Sequence, residues 1–197
     1  MNLRFFWRKT MKTKLNSSRF APASVLVFAV LIISLMTLFP SPSTGGDQAE
    51  LSLSSDAFAP GGKIPSKFTC EGEDVSPPLR WRGVPAGCVS LVLIVDDPDA
   101  PGKAWAHWVL YNIGPSIGNI AEGTNPDDIG AVSGINDFKT LTYRGPCPPG
   151  GVHHYRFTLY ALGEKPDFEP GLKKGEVLAA IENITIDSYT LIGTFSR

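Results

Sequence analysis

The amino-acid sequence predicts an all-β or β-rich domain, and three observations carry that expectation. The 197 residues include 20 Gly and 17 Pro, both of which interrupt helices and serve turns. Three apolar runs have the length of strands: Cys88 to Val95 (CVSLVLIV), Trp105 to Ile113 (WAHWVLYNI) and Tyr155 to Leu162 (YRFTLYAL). Only Leu172 to Asn183 (LKKGEVLAAIEN) carries a helical pattern. With 43% hydrophobic and 19% charged residues, the composition is that of a globular chain with a real core, which excludes wholesale disorder.

The chain opens with six basic residues before position 20 (Arg4, Arg8, Lys9, Lys12, Lys14, Arg19) and no acidic residue before Asp47. The uncharged run Ala21 to Phe39 (APASVLVFAVLIISLMTLF) follows. At 1.5 Å per residue its 19 positions nearly match a bilayer core of roughly 30 Å. Residues 1–39 therefore read as a signal peptide or a single membrane anchor. The positive-inside rule places residues 1–20 in the cytoplasm and the domain across the membrane. The domain is expected to be exported, or held at the membrane by residues 21–39. Ser41-Pro42-Ser43 offers small residues for cleavage, weakened by the proline. Residues 40–49 (PSPSTGGDQA) form a linker, and residues 50–197 the domain.

Within the domain, Glu50 to Ser54 (ELSLS) alternates as a half-buried edge strand does. APGGKIPSKFTC supplies turns before a short strand expected at Lys67 to Cys70, and Leu79 and Trp81 mark another inside a Pro-rich loop. Cys88 to Val95, aliphatic without interruption, should be a central strand buried on both faces. Trp105 to Ile113 pairs with it in expectation and places His107 near its start. Residues 114–142, rich in Gly, Asn, Asp and Ser, read as a long surface excursion. Tyr155, Phe157, Leu159 and Ala161 alternate along the third strand. The helix should bury Leu172, Val177, Leu178 and Ile181 and expose Glu176 and Glu182. A strand at Ser188 to Phe195 closes the chain.

Beyond Arg19 the balance is 12 basic against 19 acidic residues, a net charge of -7. Without a basic cluster, nucleic acid is not a partner, because phosphate neutralisation needs grouped Lys and Arg. Cys70, Cys88 and Cys147 show no CxxC spacing, which argues against zinc. In an exported domain one pair can oxidise and leave an odd thiol, with three pairings open; the alternative is that each is a small buried residue next to a strand.

All three histidines fall in two stretches, Asp96 to Trp108 (DDPDAPGKAWAHW) and Tyr143 to Tyr155 (YRGPCPPGGVHHY). In the first, Asp96, Asp97 and Asp99 lie where a buried strand ends, and Pro98 and Pro101 fix the turn. In the second, Gly145, Gly150 and Gly151 allow close approach of a ligand, while Pro146, Pro148 and Pro149 stiffen the rim. His153 and Tyr155 share a strand face, and His154 points the other way. Imidazoles and a Tyr hydroxyl donate to phosphate oxygens, and Asp accepts from a hydroxyl or ammonium on the same ligand. No HxH or HExxH pattern supports a metal, and no GxSxG elbow supports a hydrolytic nucleophile.

DDPDAPGKAWAHWVLYNI, GINDF and YRGPCPPGGVHHYRFTLYAL resemble the signature segments of the phosphatidylethanolamine-binding protein family, in its bacterial branch of Raf-kinase-inhibitor-like proteins. FTCEGEDVSPPLRWRGVPAG and the closing LIGTFSR fit the same branch, so the resemblance runs from about Leu51 to Arg197. It implies a Greek-key β-sandwich with one or two short helices, one near the C-terminus, and a small anion pocket at one end. The family's pocket residues fall on Asp97, His107, His153 and Tyr155, with walls from Ala100, Pro101, Trp105, Gly145 and Pro148. Asp99 matches an acid that organises the turn.

His154 stands where the family usually has Arg, and the loop before His153 is shorter than in eukaryotic members. The shorter loop sets Gly150 and Gly151 aside as contacts and weighs against kinase inhibition. The expected function is binding, without turnover and without a cofactor or metal, of a small anionic or phosphorylated ligand such as a phospholipid head group. Inhibition of a kinase or protease by docking, and weak hydrolysis, are the alternatives. No protein partner is identified, and the membrane is a partner only through an uncleaved N-terminal segment; resemblance to the bacterial branch implies a domain in the periplasm or outside the cell, or anchored to the inner membrane by residues 21–39.

Overall fold

An uninterrupted aliphatic run can be satisfied only where both faces of a strand are covered. In a computed structural model, which describes residues 49–197, the run at the centre of the domain meets that condition. Eight strands make up the described residues: β1 (Ser52–Ser54), β2 (Leu79–Arg82), β3 (Ser90–Asp97), β4 (Trp105–Ile113), β5 (Asn119–Ile120), β6 (Val132–Ser133), β7 (Val152–Leu162) and β8 (Thr185–Ser196). They form two antiparallel sheets, one in the order β1-β2-β5 and one in the order β6-β4-β3-β7-β8. Among the described residues one α-helix, α1 (Lys174–Ile181), precedes the last strand. The basic and apolar segments at 1–39, and the linker to residue 48, lie outside the described residues.

β3 is buried along its whole length. Leu91, Leu93 and Val95 pack with Leu53, Leu79 and Trp81 of the small sheet. Val92 and Ile94 point the other way and pack with Val177 and Ile181 of α1. The result is two sheets face to face over one core, with a smaller second core between the large sheet and the helix. Transfer of such side chains from water contributes about 1.5–3 kcal/mol each, which is why this run dictates the layering.

Most elements follow the pattern of their residues. β4 spans Trp105–Ile113, as expected, and β7 extends the third strand back to Val152. The helix is shorter than the expected 172–183: within α1, Val177 and Ile181 are buried, Leu178 is half-buried and Glu176 is exposed, while Leu172, half-buried, precedes it. The Glu176 carboxylate accepts the Lys173 N–H at 2.7 Å and caps the first turn.

The segment expected to be a strand at Lys67 to Cys70 is instead a 3-10 turn at Ser66–Phe68. Phe68 and Thr69 N–H groups bond back to Pro65 and Ser66 carbonyls, and the Thr69 hydroxyl donates to the same Ser66 carbonyl at 2.8 Å. Local hydrogen bonds outcompeted a short apolar alternation. The excursion at 114–142 carries β5, β6 and a 3-10 turn at Pro126–Ile129 that Asn125 caps.

The strand β3 runs two residues further than the apolar run and ends in Asp96 and Asp97, with Asp97 opposite Trp105. Alternation sends the two carboxylates to opposite faces. Asp96 turns toward α1, where it accepts two bonds of 2.8 Å from the Arg156 guanidinium and one of 2.9 Å from Lys174 Nζ. Burial alone would raise its pKa, but these hydrogen bonds from Arg156 and Lys174 win and lower it. Asp96→Ala leaves the Lys174 ammonium, whose side chain is 17% exposed, without its carboxylate. The expected loss is about 3 kcal/mol in urea unfolding, with Arg156→Ala costing less because Asp96 keeps Lys174.

Candidate functional site

At the end of the large sheet, β3, β4 and β7 bring Asp97, His107 and His153 to one face. The same alternation that sends Asp96 toward the helix aims Asp97 at this side. His153 Nδ1 lies 2.7 Å from Asp97 Oδ2, and both side chains are buried. A carboxylate accepts, so the imidazole carries its proton on Nδ1. Asp97 Oδ1 accepts a second bond, 2.8 Å, from the Asp99 N–H, which closes the turn after β3.

His107 is held in the same way by a different group. Its Nδ1 lies 2.6 Å from the Arg144 carbonyl oxygen, and since a carbonyl only accepts, Nδ1 is again the protonated nitrogen. Burial lowers the His107 pKa, opposed by the Arg144 carbonyl and by the charge of Asp97. Nε2 of both rings makes no hydrogen bond to the described residues. Two imidazoles, each locked in one tautomer and orientation, thus border a cavity of about 210 Å³.

The walls of the cavity are Asp97, Ala100, Pro101, Trp105, His107, Phe138, Cys147, Pro148, Pro149 and His153. Of the nine residues singled out in the sequence, seven lie here. Tyr155 does not. It is fully buried against His107, with its ring edge-on at 5.3 Å and its hydroxyl close to Asp97 but outside good hydrogen-bond geometry with the described residues. Burial first, then the Asp97 charge, push its pKa well up, so it stays a phenol.

Gly145 is the second exception. Its N–H donates to Asp74 Oδ1 at 2.6 Å, and a Cβ there would come within 2.2 Å of the Phe68 carbonyl oxygen. It supports the loop from behind and is not a wall. Gly145→Ala should push the 143–149 segment off residues 68–74 and cost about 1–3 kcal/mol in urea unfolding.

Phe138, Cys147 and Pro149 were not singled out as walls by the sequence. Phe138 meets Trp105 and His107 edge to face at 5.8 and 5.2 Å. The GINDF segment sets it there. Asn136 Nδ2 donates to the His107 and Thr142 carbonyls at 3.1 and 2.8 Å, and Asp137 Oδ2 accepts the Ala106 N–H at 2.6 Å. Cys147 is bonded to Cys70, leaving Cys88 free. With the Cys70 N–H donating to Pro146 at 3.1 Å and the Tyr143 hydroxyl donating to Phe68 at 3.0 Å, the Pro-rich wall is tied to the 66–74 turn.

His154 points to solvent, as alternation requires. Its backbone N–H and Nδ1 both reach Asp99 Oδ2, at 2.8 and 2.7 Å, so Asp99 organises the turn rather than the cavity. These His154 hydrogen bonds lower the Asp99 pKa. Among the described residues no group of three His, Cys, Asp or Glu side chains is gathered as metal ligands.

A family model described as "Phosphatidylethanolamine-binding protein" matches residues 54–196, and the chain belongs to that family. Its fold is shared with Escherichia coli YbcL, whose crystal structure aligns with a TM-score of 0.71 at 31% identity, covering 76% of this chain and 99% of that one. A UPF0098 protein of Methanothermobacter thermautotrophicus is 51% identical over 152 residues, covering 75% of this chain and 99% of the relative. LppC of Mycobacterium tuberculosis, which carries the name of a lipoprotein, is 42% identical over 147 residues, covering 74% of this chain and 72% of the relative.

The depressed His107 pKa has a definite sign. The unfolded chain binds a proton near pH 6.5, and the folded chain only below that. Stability contributed by neutral His107 is therefore complete above pH 6.5 and is lost as pH falls through the folded value. In an NMR titration the His107 ring should show a midpoint below 6.5, and His107→Gln should flatten the slope of unfolding free energy below pH 6.5 by at most about 1.4 kcal/mol per pH unit.

Proposed function

We propose that this chain is an exported, non-enzymatic binding protein whose cavity takes a small phosphate-bearing ligand, either free or as a phospholipid head group. The carrying observation is the pair of imidazoles, His107 and His153, each fixed through Nδ1 and each with Nε2 unengaged, bordering a cavity of about 210 Å³. A protonated or ligand-shared Nε2 donates to a phosphate oxygen, while Asp97 accepts from a ligand hydroxyl or ammonium. A cavity of this size suits a head group and leaves a larger substituent outside. Membership of a family named for phosphatidylethanolamine binding supports this ligand class.

Binding without turnover is favoured by what the walls offer. Cys147 is committed to a disulfide, no Ser or Thr hydroxyl lines the cavity, and Tyr155 is held as a phenol behind it. A hydrolytic nucleophile needs a hydroxyl or thiolate against a base. Export is supported by the Cys70–Cys147 disulfide, which persists in oxidising compartments, and by the lipoprotein name of LppC.

Calorimetric titration with inorganic phosphate and with phosphoethanolamine tests the reading. His107→Ala or Asp97→Ala should weaken binding by about 1.5–3 kcal/mol, roughly ten- to a hundredfold, with the circular dichroism spectrum retained. Unchanged heats in both variants would sink it. Phosphoester turnover that disappears in the same variants would replace binding with hydrolysis.

A further inference from the structure

The interior of the cavity holds imidazoles and a carboxylate but no Lys or Arg. Two fixed positive charges lie outside its lining, one on each of the two aromatic walls. Lys103 Nζ lies 5.4 Å from the Trp105 ring centroid, and the Arg144 guanidinium carbon lies 5.8 Å from that of Phe138. Because Trp105 and Phe138 touch each other edge to face, the two cations stand on neighbouring rings that both line the cavity. Both side chains are well exposed, at 61% and 46%.

Each cation has one carboxylate, and each carboxylate has a second duty. Asp137 binds Lys103 and also accepts the Ala106 N–H, while Asp74 binds Arg144 and also accepts the Gly145 N–H. The backbone bonds keep the carboxylates in place, whereas the cations end long, solvated side chains. An exposed ion pair is weak in water, so either cation can turn to a ligand anion at little cost. On the far rim, the Asp99 carboxylate is paired with His154.

We infer that Lys103 and Arg144 form an outer anion subsite, and that the preferred ligand is a phosphomonoester carrying a second acidic group, a carboxylate, a few bonds from the phosphate. This assignment rests on the reading of the cavity as a phosphate pocket. It also runs against the general field of the domain. The chain beyond Arg19 has 12 basic and 19 acidic residues, a net charge of -7 that disfavours any extra negative charge on a ligand unless local cations receive it.

Phosphoethanolamine and O-phosphoserine share a skeleton and differ by one carboxylate, so the ratio of their affinities isolates the subsite. In titrations of the wild-type protein at low ionic strength, O-phosphoserine should bind about fivefold tighter, and the preference should shrink as salt is raised. In the double variant Lys103→Ala/Arg144→Ala the ratio should fall to one or below. Equal affinities in the wild type, or a preference that survives in the double variant, would overturn the subsite while leaving the phosphate pocket standing. If neither compound nor inorganic phosphate binds the wild-type protein, the pocket and the subsite fall together.

Discussion

The period of two along a β-strand is the constraint on which this molecule turns. Asp96 and Asp97 are neighbours at the end of the most buried strand, and the pleat sends them to opposite faces. Asp96 joins Arg156 and Lys174 between the large sheet and α1. Asp97 joins His153 at the cavity. A slip of one residue in the register would exchange them, placing the ion-pair hub in the pocket and the histidine anchor under the helix. The long β3–β7 ladder, running from Ser90 opposite Leu162 to Asp96 opposite Arg156, holds that register.

The site itself is an exercise in holding imidazoles still. Each ring spends Nδ1 on an acceptor supplied by a neighbouring element, the Arg144 carbonyl for His107 and the Asp97 carboxylate for His153. This leaves a single nitrogen for a ligand and removes the tautomeric freedom that would otherwise blur recognition. The acceptors are themselves held. Asn136 ties the 136–142 loop to the His107 carbonyl, and Asp74 and the Cys70–Cys147 disulfide tie the 144–147 segment to the 66–74 turn. Distant loops thereby set the geometry of a pocket of about 210 Å³.

Much of this was legible in order along the chain. The strand at Trp105–Ile113, the burial of β3 on both faces, the helix face of Val177 and Ile181 and the outward turn of His154 all follow from local periodicity. Other features were not legible. Cys70 could have paired with either remaining cysteine, because pairing depends on which loops meet across 77 positions. Phe138 sits in a segment without strong periodicity, and only the Asn136 and Asp137 hydrogen bonds place it against His107. Gly145 read as a ligand contact because glycine permits close approach, but the approaching group is the Phe68 carbonyl.

The sequence by itself determined the β-rich class, the faces of its strands and the set of residues around which a site forms, because periodicity and turn chemistry act between near neighbours. Only the tertiary structure decided which of those residues border the cavity and which stand behind it. Tyr155 and His153 share a strand face, yet one is sealed beneath His107 and the other faces the cavity. That difference is made by side chains of β4 and of the 136–149 loops folding over the sheet end, which strand alternation alone does not encode.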